Sequence, residues 1–87
     1  MKQMTTESIT EFLDELPFRE SFSILLEDGQ GFADLCMVAK CKNEPRKVFL
    51  DDGFWLELIN ESWFFSGVGR KRIRIKRIGC RNKRYNR

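Results

Sequence analysis

The apolar residues of this chain change from a helical to an extended spacing within the sequence PFRESFSILLEDGQGF, residues 17–32. After Pro17, every second side chain shares one face, as in a β-strand. That face carries Phe18, Glu20, Phe22, Ile24 and Leu26. The sequence EDGQG, residues 27–31, then predicts a tight turn. The sheet is therefore expected to begin with a hairpin whose second strand covers residues 32–42.

Upstream of Pro17, the apolar residues repeat with the period of an α-helix. The positions i, i+3, i+4 and i+7 are occupied by Ile9, Phe12, Leu13 and Leu16. Thr5 or Thr6 can cap the start of this helix, because a threonine hydroxyl accepts a hydrogen bond from an N–H group of the first turn. Pro17 ends the helix, because proline disfavours the helical conformation of the preceding residue. The apolar stripe therefore predicts a helix that packs as a lid on the sheet.

Downstream of the hairpin, short extended segments alternate with turn residues. Strands are predicted for residues 47–50, 54–59, 63–65 and 70–78, with turn or bend residues between them. One helix followed by five or six strands predicts an α+β fold: an N-terminal helix packed on a curled antiparallel sheet or a small five- to six-stranded open barrel. Residues 1–78 are expected to form this single domain, and residues 79–87 a basic, flexible C-terminal tail.

The composition argues against an enzyme. The 87 residues include no histidine, which removes the usual general base and every zinc site that depends on imidazole. No P-loop or dinucleotide fingerprint is present, and no cofactor or metal is expected. Three cysteines fit a reducing compartment, so a cytoplasmic location is predicted. The sequence predicts neither a signal peptide nor a membrane span, because it has no apolar stretch of the required length.

The charges are strongly segregated along the chain. Residues 1–69 carry six basic side chains and all thirteen acidic ones, whereas residues 70–87 carry ten basic side chains and no acidic one. Such segregation is typical of a terminal segment that contacts a polyanion. A basic tail can also be a solvated segment that keeps the protein soluble, or it can fold back on an acidic body.

The sequence RKRIRIKRI, residues 70–78, predicts a basic final strand. Alternation places Ile73 and Ile75 towards the core and Arg72, Arg74 and Lys76 towards solvent, with about 6.6 Å between neighbours on one face. This spacing is close to that of phosphates along a nucleic-acid strand, and arginine binds phosphate through two parallel hydrogen bonds. The alternatives are contact with an acidic protein and an edge strand that charge protects from aggregation.

The predicted nucleic-acid contacts extend from this strand into the tail. They comprise Arg70, Arg72, Arg74, Lys76, Arg77, Arg81, Lys83, Arg84 and Arg87. Aromatic rings are candidates for base stacking where they stay exposed, although most rings in a small protein pack in the core. Tyr85 in the tail and Trp55, which shares its strand face with Glu57, are predicted stacking residues.

The leading hypothesis is a small non-enzymatic nucleic-acid-binding module, with RNA or single-stranded nucleic acid favoured as the ligand. The alternative is a small protein–protein interaction module or inhibitor, of viral or mobile-element type, that binds a larger enzyme through its charged surfaces. In that case the acidic helix face could mimic a nucleic-acid backbone; it comprises Glu7, Glu11, Asp14 and Glu15. The bipolar charge also permits self-association.

Overall fold

The computed structural model describes residues 4–80 and shows one helix on a closed antiparallel barrel. Its elements are α1 Thr6–Glu15, β1 Ser21–Leu26, β2 Gly31–Cys41, β3 Lys47–Leu50, β4 Phe54–Ile59, β5 Ser62–Gly67 and β6 Ile73–Gly79. Each strand pairs with the next one along the chain, and β6 pairs with β1. The α+β prediction is confirmed, and the sheet closes. No helix among residues 4–80 has the length and apolar character needed to cross a membrane.

The helix α1 covers one end of the barrel, as the apolar stripe predicts. The Thr5 hydroxyl caps it by accepting a hydrogen bond from the Ser8 N–H at 3.1 Å, and the backbone becomes extended at Leu16, just before Pro17. The stripe buries Ile9, Leu13 and Leu16. The indole N–H of Trp63 donates to the Thr10 hydroxyl at 2.9 Å, which ties the helix to the start of β5.

The first strand begins later than the sequence predicts. Residues 18 and 19 form a turn, in which the Glu20 N–H donates to the Pro17 carbonyl at 3.3 Å and Arg19 has a φ of 74°. The Phe18 side chain therefore lies outside the strand and is 58% exposed. The alternation holds only from Ser21, where Phe22, Ile24 and Leu26 point into the barrel.

A bulge in β2 changes which of its side chains face the interior. Phe22 lies opposite Leu35 and Ile24 lies opposite Phe32, so β2 contains one more residue than β1 between these two pairs. Asp34, in this interval, has a positive φ of 59°. Phe32 consequently packs against the core together with Leu35, although simple alternation puts these two residues on opposite faces.

The barrel end opposite α1 is filled by aromatic rings. The ring of Phe65 lies 4.6 Å from that of Phe32 and 4.9 Å from that of Phe54, measured between centroids. The three rings come from β5, β2 and β4, so they join strands that are distant in sequence. Beside them, the loop from β5 to β6 contains Gly69, whose φ of 75° suits a residue without a side chain.

Candidate nucleic-acid interface

The basic C-terminal segment is divided between a loop and a strand. The strand β6 begins at Ile73, not at residue 70 as the alternation predicts, and residues 70–72 belong to the loop that follows β5. The Arg70 N–H donates to the Gly67 carbonyl at 3.1 Å, which closes a turn across Gly69. Lys71 and Arg72 lie on the exposed part of this loop. The predicted ladder of Arg72, Arg74 and Lys76 therefore begins outside the strand.

A second bulge interrupts the ladder at its other end. Leu25 lies opposite Arg77, whereas the adjacent Leu26 lies opposite Ile75, so β6 has an extra residue at this point. Ile75 and Ile78 are both buried although they are three positions apart. Lys76 and Arg77 fall between them and are both partly buried. The regular spacing of about 6.6 Å on one face consequently does not extend beyond Arg74.

Arg70 contacts the aromatic end of the barrel. Its guanidinium carbon lies 5.4 Å, 5.5 Å and 5.8 Å from the ring centroids of Phe32, Phe54 and Phe65, respectively. The guanidinium also donates to the Gln30 side chain at 3.3 Å. Cations are attracted to the faces of aromatic rings, so this side chain stabilises the fold as well as adding positive charge.

The outer surface of strands β3 to β6 places aromatic and basic side chains next to each other. The register aligns Lys47, Glu57, Phe64 and Arg74 in one row across the four strands. The neighbouring row on the same face contains Phe49, Trp55 and Ser66. Both rows face away from the core, because the residues that alternate with them are buried, among them Val48, Leu56 and Phe65; Ser66 is the member of the rows that is itself buried, at 6% exposed. We call Phe49, Trp55, Phe64, Arg72 and Arg74 the aromatic–basic face.

The basic groups of this face lie where they can contact a ligand. The guanidinium carbon of Arg72 lies 5.9 Å from the centroid of the Phe64 ring. Arg74 forms an ion pair with Glu27, at 3.5 Å, in which both side chains are 40% exposed or more. Exposed ion pairs of this kind contribute little free energy, so a phosphate can replace the carboxylate at small cost. Both arginines are therefore available to a polyanion.

Trp55 lies on the outer face that the sequence predicts, but its ring is partly buried. Its indole N–H donates to the Glu57 carboxylate at 3.3 Å, which orients the ring along the sheet surface. Among the residues of the two rows, Glu57 is the acidic one, and it lies opposite Lys47 in the register. This arrangement offsets much of the repulsion that the carboxylate would exert on a phosphate.

Two rings of this face were not among the predicted stacking residues. Phe49 is 37% exposed, and Phe64 is partly buried beneath Arg72. The sequence holds a signal for both. Val48 and Leu50 alternate with Phe49 in a short strand, and the inward position of Phe65 requires Phe64 to point outwards. Alternation applied to each strand separately would have identified these rings.

The predicted contacts of the tail cannot be placed on this surface. Arg81, Lys83, Arg84, Arg87 and Tyr85 lie outside the described residues. Within residues 4–80, no three histidine, cysteine, aspartate or glutamate side chains are grouped so that they could hold a metal ion. The candidate interface therefore consists of the aromatic–basic face together with Lys76 and Arg77.

No family model matches the sequence, and no curated protein or solved structure matches it significantly. The function is therefore inferred from the chemistry of the chain's own residues and from their placement on the barrel. Two properties of the surface support this inference: the exposure of Arg72 and Arg74, and the position of the aromatic rings beside them. Both belong to the outer surface of one continuous group of strands, β3 to β6.

Proposed function

We propose that this protein is a small non-enzymatic nucleic-acid-binding module, with RNA or single-stranded nucleic acid as the favoured ligand. One observation carries the proposal: Arg72 and Arg74 lie beside Phe64, and Trp55 lies diagonally across from Phe64 on the same outward-facing surface. Guanidinium groups bind phosphate oxygens, and aromatic rings stack on bases. The basic residues of the predicted tail would add further phosphate contacts.

The placement of the rings favours unpaired bases as the ligand. Bases in a duplex are stacked on one another and present only their edges, so their faces are not accessible to Trp55 or Phe64. A single strand can turn its bases onto the rings while its phosphates contact Arg72 and Arg74. Each stacked base contributes about 1–3 kcal/mol in proteins that bind single strands.

The experiment is a fluorescence-anisotropy titration of the full chain against short labelled single- and double-stranded RNA and DNA at several salt concentrations. We expect tighter binding to the single strands. Arg72→Gln should weaken this binding about tenfold at low salt, since hydrogen bonds to charged groups contribute about 1.5–3 kcal/mol. It should also reduce the slope of log affinity against log salt by about 0.7, the value for one lost phosphate contact on a single strand.

The matched control is Lys42→Gln, which removes one positive charge at the opposite, helix-covered end of the barrel. The Lys42 side chain is 66% exposed and lies 4.0 Å from the Asp14 carboxylate. Its loss should leave both the affinity and the salt slope close to those of the unmodified protein. If Lys42→Gln weakens binding as much as Arg72→Gln does, the contact is unspecific attraction to total charge. If the unmodified protein does not bind at low salt, the proposal is wrong.

The protein-interaction alternative has less support from the acidic helix face. Asp14 accepts a hydrogen bond from the Arg46 guanidinium at 2.7 Å, and the Asp14 carbonyl accepts one from the Lys40 ammonium at 3.1 Å. Basic residues of the barrel therefore partly neutralise the helix surface that would mimic a nucleic-acid backbone. Charge reversal at Glu11, an exposed residue of that face, is the variant that tests this alternative. Loss of partner capture without loss of nucleic-acid binding would favour the inhibitor function.

A further inference from the structure

A cleft of about 500 Å³ lies between β1, the end of β6 and the segment that precedes α1. Met4 closes one side, because its N–H donates to the Lys76 carbonyl at 3.0 Å and its sulfur accepts a hydrogen bond from the Ile78 N–H at 3.4 Å. The cleft lies on the β1 side of β6, whereas the aromatic–basic face continues towards β5. Its volume is within the range of small-molecule sites in proteins.

Two residues that line this cleft each carry a buried polar atom without a hydrogen-bond partner. These atoms are the Nε of Arg77 and the hydroxyl oxygen of Ser23. In the register, Leu25 lies opposite Arg77 and Ser23 lies opposite Gly79, so Ser23 and Arg77 are diagonal neighbours on one face of the β1–β6 pair. Buried polar atoms almost always have a partner, and two unpaired ones beside the same cleft indicate a site that a ligand completes.

The charge of the cleft specifies the kind of ligand. Arg77 is the charged residue among those that line it. Within residues 4–80, carboxylates form ion pairs with Lys42, Arg46 and Arg74 but not with Arg77. The remaining residues, 1–3 and 81–87, include no aspartate or glutamate. Among the described residues this partly buried guanidinium has no carboxylate partner, and such a group favours an anion.

Arg46 provides an internal comparison. Its Nε is also buried and unpaired, but its guanidinium donates to the Asp14 carboxylate at 2.7 Å, so its charge is already neutralised. Arg77 has the same unpaired atom without the neutralising carboxylate. The distinguishing property of the cleft is therefore the combination of an unpaired donor with an uncompensated positive charge beside the Ser23 hydroxyl.

We propose that this cleft binds the oxyanion group of a small ligand, a phosphate monoester or a carboxylate, that also carries an apolar or aromatic group. The guanidinium of Arg77 donates to the oxyanion, and the Ser23 hydroxyl joins it when the Ser23 side chain rotates towards the cleft. The side chains of Met4, Leu25 and Ile78 contact the apolar part. This site goes beyond the proposed function: it shares Arg77 with the candidate interface but uses neither Arg72 nor the rings of the aromatic–basic face.

The test is a titration of the full-length, isotope-labelled protein, in which NMR follows the Nε–H signals of its arginines. The probes are inorganic phosphate, phenyl phosphate and benzoate, with sodium chloride as the reference for unspecific effects. We expect phenyl phosphate or benzoate to shift the Arg77 Nε–H signal and the amide signals of Ser23 and Gly79 in a saturable manner. Inorganic phosphate should bind more weakly, since it lacks the apolar group. The preferred probe distinguishes a phosphate ligand from a carboxylate ligand.

Arg77→Gln should weaken probe binding about tenfold, and Ser23→Ala should weaken it severalfold. Arg74→Gln is the matched control and should leave probe binding unchanged. Ser23→Ala removes only a hydroxyl, so it remains informative if Arg77→Gln does not fold. Shifts that sodium chloride reproduces, or that do not saturate, would overturn the proposal. Arg72→Gln separates the two sites, because it should weaken RNA binding while phenyl phosphate still binds the cleft.

Discussion

Arg70 shows how one residue can belong to both a fold and a binding surface. Its guanidinium covers the rings of Phe32, Phe54 and Phe65, so its removal would loosen the end of the barrel. A loss of nucleic-acid affinity in an Arg70 variant would therefore have two possible causes: the loss of a phosphate contact and the loosening of this end of the barrel. Arg72 and Arg74 are better test positions, because their contacts are with the outer ring of Phe64 and the exposed carboxylate of Glu27.

A substitution at Gly67 tests the packing of the same aromatic cluster. A Cβ atom at this position would lie 2.6 Å from Cδ1 of Phe54, whose ring packs against those of Phe32 and Phe65. Gly67→Ala should therefore lower the free energy of unfolding by about 1–3 kcal/mol, the usual cost of overpacking. Urea denaturation followed by circular dichroism measures the change.

The control for this substitution is Gly79→Ala, at the end of β6. Among residues 4–80, no atom outside the glycine and its two chain neighbours lies within 4 Å of the Cβ that it would introduce, so the free energy of unfolding should change by less than about 0.5 kcal/mol. Equal effects at Gly67 and Gly79 would show that the Phe54 ring can move aside, contrary to the packing described here.

At the scale of an element, α1 is expected to be an integral part of the core. Leu13 is 1% exposed and belongs to the same buried core cluster as Phe22 and Trp63. Leu13→Ala should lower the free energy of unfolding by about 2–5 kcal/mol, as is typical for a large apolar side chain deleted from a core. Glu11→Ala, an exposed change in the same helix, should have a much smaller effect.

The same denaturation experiment distinguishes a core helix from a loosely attached one. Helix and barrel should unfold in one cooperative transition, because Ile9 and Leu13 of α1, and Leu16 directly after it, are buried in the core. Two separate transitions for Leu13→Ala, an early one for helical signal and a later one for the sheet, would contradict this expectation.

Two strands show why element boundaries and faces are harder to predict than element types. Alternation correctly predicts extended strands near residues 32–42 and 73–78, although it starts the last strand three residues too early. Each of the two strands also contains a bulge that reverses the later side chains. A bulge is stabilised by its partner strand and by the fit of side chains in the core. The sequence of one strand does not contain that information, so the regular ladder of Arg72, Arg74 and Lys76 could not be corrected from the sequence.

In the whole molecule, closure of the barrel means that β1 and β6 each pair with a strand on both sides. Their amides should therefore be protected from solvent exchange like those of interior strands. Ile24 lies opposite Ile78 in this pair, much as Leu56 lies opposite Phe65 in the β4–β5 pair. Native-state hydrogen exchange by NMR should therefore show similarly slow exchange for hydrogen-bonded amides of both pairs. If the amides that bond β1 to β6 exchange a hundredfold faster than those that bond β4 to β5, the barrel opens between β1 and β6 in solution.

The local structure follows from the residues themselves: the helix that Pro17 ends, the extended segments after it, the turns and the concentration of positive charge after residue 69. These features depend on backbone preferences and on the spacing of apolar residues within a few positions. The bulges, the closure between β1 and β6, and the approach of Phe64 to Arg72 became visible only in the folded barrel. The physical reason is that strand register results from packing and hydrogen bonds between segments that are distant in sequence.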